Sequence, residues 1–499
     1  MSPKVSFKRL YLVTAISTVL GYFLYQIISQ LNNNLWNDEF LTIESFILVP
    51  FKTTLTNYHT SNNHILFSVF SHFYLQALGI TSSTFILENP WILRLPMLFV
   101  SIGTLLLMYE TGKTIGGRSV GLLSMAILAT TLPFHNFCLQ ARGYSFTMFF
   151  DTLIIYSIAS YFRYGRNKSL VLIALATWFT FYTIPSNLYC IIAILAFLSG
   201  ELIYNYIKER IFDPRYWKPM IAVIAGAILA LICYSPVIAR VFTNDYVRAT
   251  FHPSRIIDAT FFYGDLIWGR RLLFTLFGVS AFIYFIPLLP GRTNLTLLWR
   301  MVCWQFIIPV VIVVVAGQHP PPRIFVYLFI FMAPLIAVSM YYILRLLIQK
   351  PYRNPIVASL VLYLLIACHI DKTTLDNEMA LNIRQGILTE NLLHNYYLYH
   401  YKPLAVARYL KEQEKKEPQP VIIKPDDMCY YLTALNTTYH RRDSTNYFLN
   451  QGKKVIYVTT YGLERRLAEQ YKCSVREIIP LTKEIVQPSY HHILELERR

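Results

Sequence analysis

Apolar stretches of the length needed to cross about 30 Å of hydrocarbon recur from the N-terminus to about residue 371. About twelve can be drawn, at roughly 10–31, 65–80, 91–110, 119–137, 144–162, 169–183, 185–204, 219–241, 272–289, 297–316, 322–348 and 354–371. The pattern then changes. Residues 372–401 read as a linker, and 402–499 alternate helical and strand-like periods: a helix over Leu404–Lys416, short buried strands at 420–424 and 454–459, and a second helix over 463–470. The expected fold is a polytopic α-helical membrane domain over 1–371, with 11 to 13 transmembrane helices, followed by a small α/β domain that faces water.

Composition agrees with that division. Hydrophobic residues make up 55% of the 499 and charged residues only 15%, well below the roughly 25% of soluble chains. The formal charge of +17 is unevenly spread: residues 372–499 hold 19 basic and 15 acidic side chains, so most of the excess lies at the loops and helix ends of the membrane part. There it matches cytoplasmic loops and anionic lipid head groups, and no basic stripe with interleaved aromatics points to nucleic acid. The first stretch is long, carries Gln26 and has no small-residue cleavage site after it, so it reads as a retained helix.

Lys4, Lys8 and Arg9 put the N-terminus on the cytoplasmic side of an inner membrane, and the acidic loop 32–62 on the outer side. An odd number of crossings then places the 402–499 domain outside as well. Four crossings between that loop and the basic group Arg163, Arg166 and Lys168 break the expected parity. Either the 65–80 stretch is re-entrant, or the Lys113–Arg118 turn is the true inside loop and the 163–168 group is not. Among the seven cysteines, Cys429 and Cys473 fall in the outer domain, where an oxidising compartment would let them pair. No cofactor is implied, and no His, Cys or carboxylate spacing supports a divalent metal.

Candidate chemistry begins with Asp38 and Glu39 in Leu35-Trp36-Asn37-Asp38-Glu39-Phe40, directly after the first helix. Partial desolvation at a membrane surface suits a carboxylate to general-base work, although a solvated outer loop carries the same residues. Asn62-Asn63-His64 opens the second stretch, Arg94-Leu95-Pro96 the third, Gly116-Gly117-Arg118 the fourth, and Gln140-Ala141-Arg142-Gly143-Tyr144 the fifth. His319-Pro320-Pro321-Pro322-Arg323 precedes a late helix. Arginines at apolar helix ends invite an anionic partner, of which phosphate is the natural one. Topology anchoring accounts equally for Arg94 and Arg323, and a helix-entry hydrogen bond for His64.

The order of these motifs resembles the GT-C membrane glycosyltransferases, in the branch with protein O-mannosyltransferases, lipid A aminoarabinose transferases and RgtA/B/C/D-like bacterial enzymes. The likeness covers Asp38 to about residue 165, the Pro-Pro-Arg segment, and the helix opening at Lys402-Pro403-Leu404. Two departures stand out: Asn62-Asn63-His64 replaces His-Pro-Pro, and the acidic residue usual inside the Gln-Ala-Arg segment is missing.

The resemblance implies an inverting transfer of a sugar from a polyprenyl-phosphate donor to an envelope lipid, glycan or protein. Asp38 would be the base and Glu39 its partner, while His64, Arg94, Arg142 and Arg323 would hold the donor phosphate. Asn62, Asn63, Gln140, Tyr144 and His319 are further site candidates, and all are expected to converge on one cavity at the outer interface. A flippase for lipid-linked sugars and a non-catalytic lipid-binding scaffold are the competing readings. The acidic pair favours chemistry, because translocation requires no base.

Overall fold

A computed structural model of the protein describes residues 3–242, 292–316, 322–349, 353–384, 403–416, 418–423, 426–441, 444–459, 467, 470–478 and 492–498. Its helices are α1 (Pro3–Ile27), α2 (Asn37–Thr42), α3 (Phe51–Thr56), α4 (Ile65–Ala77), α5 (Ser83–Glu88), α6 (Trp91–Gly116), α7 (Arg118–Ala129), α8 (Leu132–Phe137), α9 (Tyr144–Tyr164) and α10 (Asn167–Thr183). Then follow α11 (Leu188–Glu209), α12 (Pro214–Tyr234), α13 (Ile238–Phe242), α14 (Arg292–Ala316), α15 (Leu328–Leu347), α16 (Arg353–Arg384), α17 (Pro403–Lys416), α18 (Asp426–Ala434) and α19 (Thr445–Asn450). Among the described residues, eight helices are long and apolar enough to cross a membrane. The protein is a multi-pass membrane protein with a small C-terminal sheet region.

The remaining apolar stretches of the sequence have separate outcomes. The 65–80 stretch becomes α4, whose 13 residues extend only about 20 Å and fall short of the hydrocarbon core. The 119–137 stretch is divided between α7 and α8, with Pro133 in the first turn of α8. The 169–183 stretch is the 17-residue α10. The stretch at 272–289 lies outside the described residues.

The chain divides into two compact units, neither continuous in sequence. One comprises Met1–Ile28, Val49–His72 and Pro96–Ile370; the other comprises Ser29–Leu48, Phe73–Leu95 and Asp371–Arg499. In the first unit α10 packs against α9 and α12, α11 against α14, and α15 against α7. Small residues set the closest approach. A Cβ on Gly121 of α7 would stand 2.5 Å from the carbonyl oxygen of Tyr109 in α6, so only glycine lets these two backbones meet. Polar ties hold the helix ends: Arg300 of α14 pairs with Glu201 of α11 at 2.9 Å, and the Tyr234 hydroxyl donates to the Phe181 carbonyl at 3.0 Å.

Arg163, in the last turn of α9, donates to the carbonyls of Lys113 and Thr114 in the last turns of α6. The Lys113–Arg118 turn and the Arg163–Lys168 group therefore share one end of this unit, and the sequence alternative that set them against each other falls away.

In the second unit a five-stranded sheet has the order β2-β1-β3-β5-β4, built from β1 (Val421–Ile423), β2 (His440–Arg441), β3 (Val455–Thr459), β4 (Cys473–Ile478) and β5 (His492–Arg498). β1 runs parallel to β2 and β3, whereas β5 is antiparallel to β3 and β4. The central β3 is buried along its whole length, as its continuous Val-Ile-Tyr-Val run requires. Ile422, Tyr457, Leu494 and Leu496 form the core with Leu449, Leu467 and Cys473. The expected helix at 404–416 and the strands within 420–424 and 454–459 are present. Most of 463–470 lies outside the described residues. The expected pairing of Cys429 with Cys473 is not made: no disulfide joins any of the seven cysteines, and Cys473 is packed into the sheet core.

The close contact at Gly121 yields a stability test. Gly121→Ala forces the α6 and α7 backbones apart and is expected to cost about 1–3 kcal/mol. A lowered melting temperature of the detergent-solubilised protein checks it, with Gly21→Ala, where a Cβ meets nothing within 4 Å, as control.

Candidate functional site

The acidic pair is divided by its own short helix. Asp38 and Glu39 lie in the first turn of α2, which begins after extended Trp36. Glu39 turns inward and is fully buried; its carboxylate accepts from the Trp36 backbone N–H at 2.7 Å and meets Arg94 Nη2 at 3.1 Å. Asp38 stays half-buried, while its backbone carbonyl accepts from Thr42 Oγ1 at 2.7 Å. Of the two carboxylates, Asp38 is the more exposed.

Arg94 is only 1% exposed, and its guanidinium is turned onto protein groups. Besides Glu39 it donates to the carbonyls of Gln30 at 3.0 Å, Leu31 at 3.3 Å and Asn34 at 3.2 Å, and also to that of Asn33. A guanidinium has five N–H donors, and this set engages both terminal nitrogens. In the structure its donors close the Gln30–Asn34 turn and its charge meets Glu39. The same loop is tied to the C-terminal segment of its unit. Leu404 N–H donates to Asn34 Oδ1 at 3.0 Å, the Tyr431 hydroxyl donates to the Leu35 carbonyl at 2.6 Å, and Phe40 packs against Tyr430 with ring centres 4.8 Å apart.

A second cluster belongs to the other unit and joins the start of α4 to the start of α9. Arg142 Nη2 donates to Asn62 Oδ1 at 2.9 Å and lies 3.3 Å from His64 Nε2. The Gly143 backbone N–H donates to His64 Nδ1 at 2.8 Å. With Nδ1 accepting, the proton of a neutral imidazole sits on Nε2, so His64 presents an N–H beside the Arg142 guanidinium. Burial first, and then the charges of Arg142 and Arg323, hold the His64 imidazole well below its usual range. Tyr144 closes the cluster, stacked edge-on to His64 with centroids 5.3 Å apart and lying 5.3 Å from the Arg142 guanidinium carbon.

Three further residues set this cluster in place. Asn63 is spent on structure: its amide donates to the carbonyls of Thr54 at 3.0 Å and Asn57 at 2.8 Å, and its oxygen accepts from Ser68 Oγ at 2.9 Å. Gln140 is buried and donates to the Asn136 carbonyl at 3.3 Å. Arg323, half-buried in a short 3-10 turn (Pro322–Phe325), enters through its charge on His64. His319 lies outside the described residues.

The candidates thus gather as Glu39 and Arg94, with Asp38 adjacent in sequence, in one unit. In the other, Asn62, His64, Arg142 and Tyr144 are in contact, and the charge of Arg323 acts on His64. Among the described residues no three His, Cys, Asp or Glu side chains form a metal-binding group.

Two contributors escaped the sequence reading. Tyr58 is buried; burial pushes its phenol well up, against a smaller opposite pull from the Arg142 charge. No local signal marks it. Gly143 is needed because a Cβ there would stand 2.5 Å from Thr183 Cγ2 and 3.0 Å from His64 Cβ. Its position next to Arg142 in the Gln-Ala-Arg-Gly run was the available clue.

No protein-family model and no curated protein matches this sequence. Solved structures do. The oligosaccharyltransferase of Archaeoglobus fulgidus, tethered to an acceptor peptide, aligns with a TM-score of 0.50 at 10% identity over 94% of this chain and 69% of that one. The chain has the GT-C fold. ArnT from Cupriavidus metallidurans bound to undecaprenyl phosphate also aligns, with a TM-score of 0.48 at 10% identity over 97% of both chains. At such identities the GT-C likeness is one of fold, and the chemistry has to be argued from the side chains.

The different fates of the two buried arginines lead to the first test here. Removing Arg94 strands the Glu39 carboxylate, so Arg94→Ala is expected to cost about 3–5 kcal/mol and most of the folded yield. Arg94→Ala/Glu39→Leu should recover part of that loss, read by size-exclusion profile and melting temperature.

His64 supplies a pH test. Its folded value is depressed, so below the usual imidazole value of about 6.5 the unfolded chain binds a proton that the folded chain refuses. The His64 contribution is therefore constant above that pH, and stability falls by up to about 1.4 kcal/mol per pH unit below it. His64→Gln should flatten this limb of the melting-temperature profile between pH 6.5 and 5, whereas an unchanged limb would assign it to other groups.

Proposed function

We propose that the protein is a membrane glycosyltransferase that transfers a sugar from a polyprenyl-phosphate carrier to an envelope lipid, glycan or protein. The observation that carries this reading is the Arg142–His64–Asn62 cluster at the head of α9 in a chain of GT-C fold. A buried guanidinium beside a neutral imidazole N–H is a preorganised receptor for a phosphate oxygen. Arg323 adds a second positive charge that acts on the same imidazole.

In the proposed reaction Asp38 takes the proton from the acceptor hydroxyl, and that oxygen forms a bond to the anomeric carbon. The bond from this carbon to the phosphate oxygen breaks, and its electron pair leaves on the polyprenyl phosphate. One displacement inverts the anomeric centre. Arg142, His64 and Arg323 neutralise the growing charge on the leaving phosphate, where fixed donors are worth most. Glu39 and Arg94 are positioning residues that hold the α2 turn carrying Asp38.

The basic end of the membrane bundle, with Lys113, Arg118, Arg163, Arg166 and Lys168, is assigned to the cytoplasm of an inner membrane by the positive-inside bias. The head of α9 with Arg142 then faces the opposite leaflet, and we assign the Asp38 loop and the C-terminal sheet to the outer side as well.

Two substitutions separate the proposed roles. Asp38→Asn should retain undecaprenyl phosphate binding but lower sugar transfer by about 10²-fold or more. Arg142→Ala should weaken both binding of that probe and turnover, because the phosphate is held in ground and transition states alike. Full transfer by Asp38→Asn, measured as release of polyprenyl phosphate from a polyprenyl-phosphate sugar, would remove Asp38 as base.

A further inference from the structure

At the basic end of the membrane unit, six helices line a half-open cavity of about 610 Å³. That volume falls in the range of dedicated small-molecule sites. It lies at the far end of α9 from Arg142: its lining includes Gly116 and Gly117 at the α6–α7 turn and Arg163 at the close of α9. Its lining is mixed, about as polar as apolar, and the apolar part comes from Ile158 and Phe162 of α9, Phe197 of α11, and Leu298 and Met301 of α14. Its rim is cationic, with Arg163, Arg215 from α12 and Arg345 from the last turn of α15.

The three arginines are not equivalent. Arg215 is neutralised by Asp213 at 2.6 Å. Arg163 is held by the carbonyls of Lys113 and Thr114, which orient its guanidinium without cancelling its charge. No acidic side chain pairs with Arg163 or Arg345 among the described residues. Two guanidinium groups with no acidic partner among the described residues, at the rim of a hollow with an apolar side, thus present the complement of a molecule with an anionic head and a hydrocarbon body. Topology anchoring alone would need the charges but not the hollow.

We propose that this cavity binds an anionic phospholipid, with the phosphodiester on Arg163 and Arg345 and the first part of an acyl chain against Ile158, Phe162 and Met301. Tyr216 and Tyr342, which also line the cavity, supply the aromatic edges favoured at the head-group level. The site is separate from the proposed transfer chemistry, and a lipid here would brace the ends of helices α6, α9, α11, α12, α14 and α15.

Native mass spectrometry of the full-length protein, delipidated in detergent and titrated with phosphatidylglycerol or phosphatidylcholine, tests the proposal. Phosphatidylglycerol should be retained in preference and should raise the melting temperature. Arg345→Gln should lower its affinity about fivefold, the worth of one basic residue near an anionic lipid. Ala159→Trp, which fills the cavity from α9, should abolish retention. Should that variant fail to fold, Arg345→Gln still decides, because that side chain holds no acidic partner among the described residues. Equal retention of both lipids, unaltered affinity in Arg345→Gln, or equal protection by inorganic phosphate alone would overturn the proposal.

Discussion

A guanidinium taken out of water stays charged and must find its compensation within the protein, and two arginines meet that demand in opposite ways. Arg94 turns its donors onto the carbonyls of Gln30–Asn34 and its charge onto Glu39, which fixes the turn preceding the acidic helix. Arg142 donates to an asparagine oxygen and lies beside a neutral imidazole. The first arrangement consumes electrostatic attraction to make structure. The second sets a guanidinium next to an imidazole N–H, the pairing on which the proposed phosphate site is built.

The same economy governs the helices around the second cluster. Asp151, in the body of α9, accepts from Thr180 Oγ1 at 2.9 Å, and Asn187 donates to the Thr180 carbonyl at 2.7 Å and to Thr147 Oγ1 at 3.0 Å. These polar contacts lock α9, α10 and the start of α11 together where apolar packing alone would permit sliding. A firm α9 matters because its two ends carry different tasks. Its head holds Gly143 and Tyr144 against His64, and its tail carries Arg163 to the α6 carbonyls.

Close backbone approach is the third constraint. Gly143 admits Thr183 and His64 to distances that any side chain would forbid, so the imidazole is placed by contact as much as by hydrogen bonding. The His64 tautomer follows from it: the Gly143 N–H reaches Nδ1 and leaves the proton on Nε2. A glycine with no chemistry of its own thereby decides which nitrogen of a neighbouring residue can donate.

Hydrophobic length and charge distribution determined that this chain is a membrane bundle with a small sheet domain, because both signals are local and survive without knowledge of contacts. The motif order from Asp38 to Tyr144 likewise named Arg142, His64 and Asn62 as a group before any geometry was known. Local pattern could not tell Glu39 from Asp38, or Arg94 from Arg142, since each pair has the same chemistry and similar surroundings in sequence. Only the tertiary structure separated them, by turning Glu39 and Arg94 onto each other and Arg142 onto His64. It also decided the fate of the 65–80 stretch, whose apolar run is broken at Leu78–Gly79 after 13 helical residues. Tyr58 could be found in no other way, because its burial in a loop leaves no periodic trace in the chain.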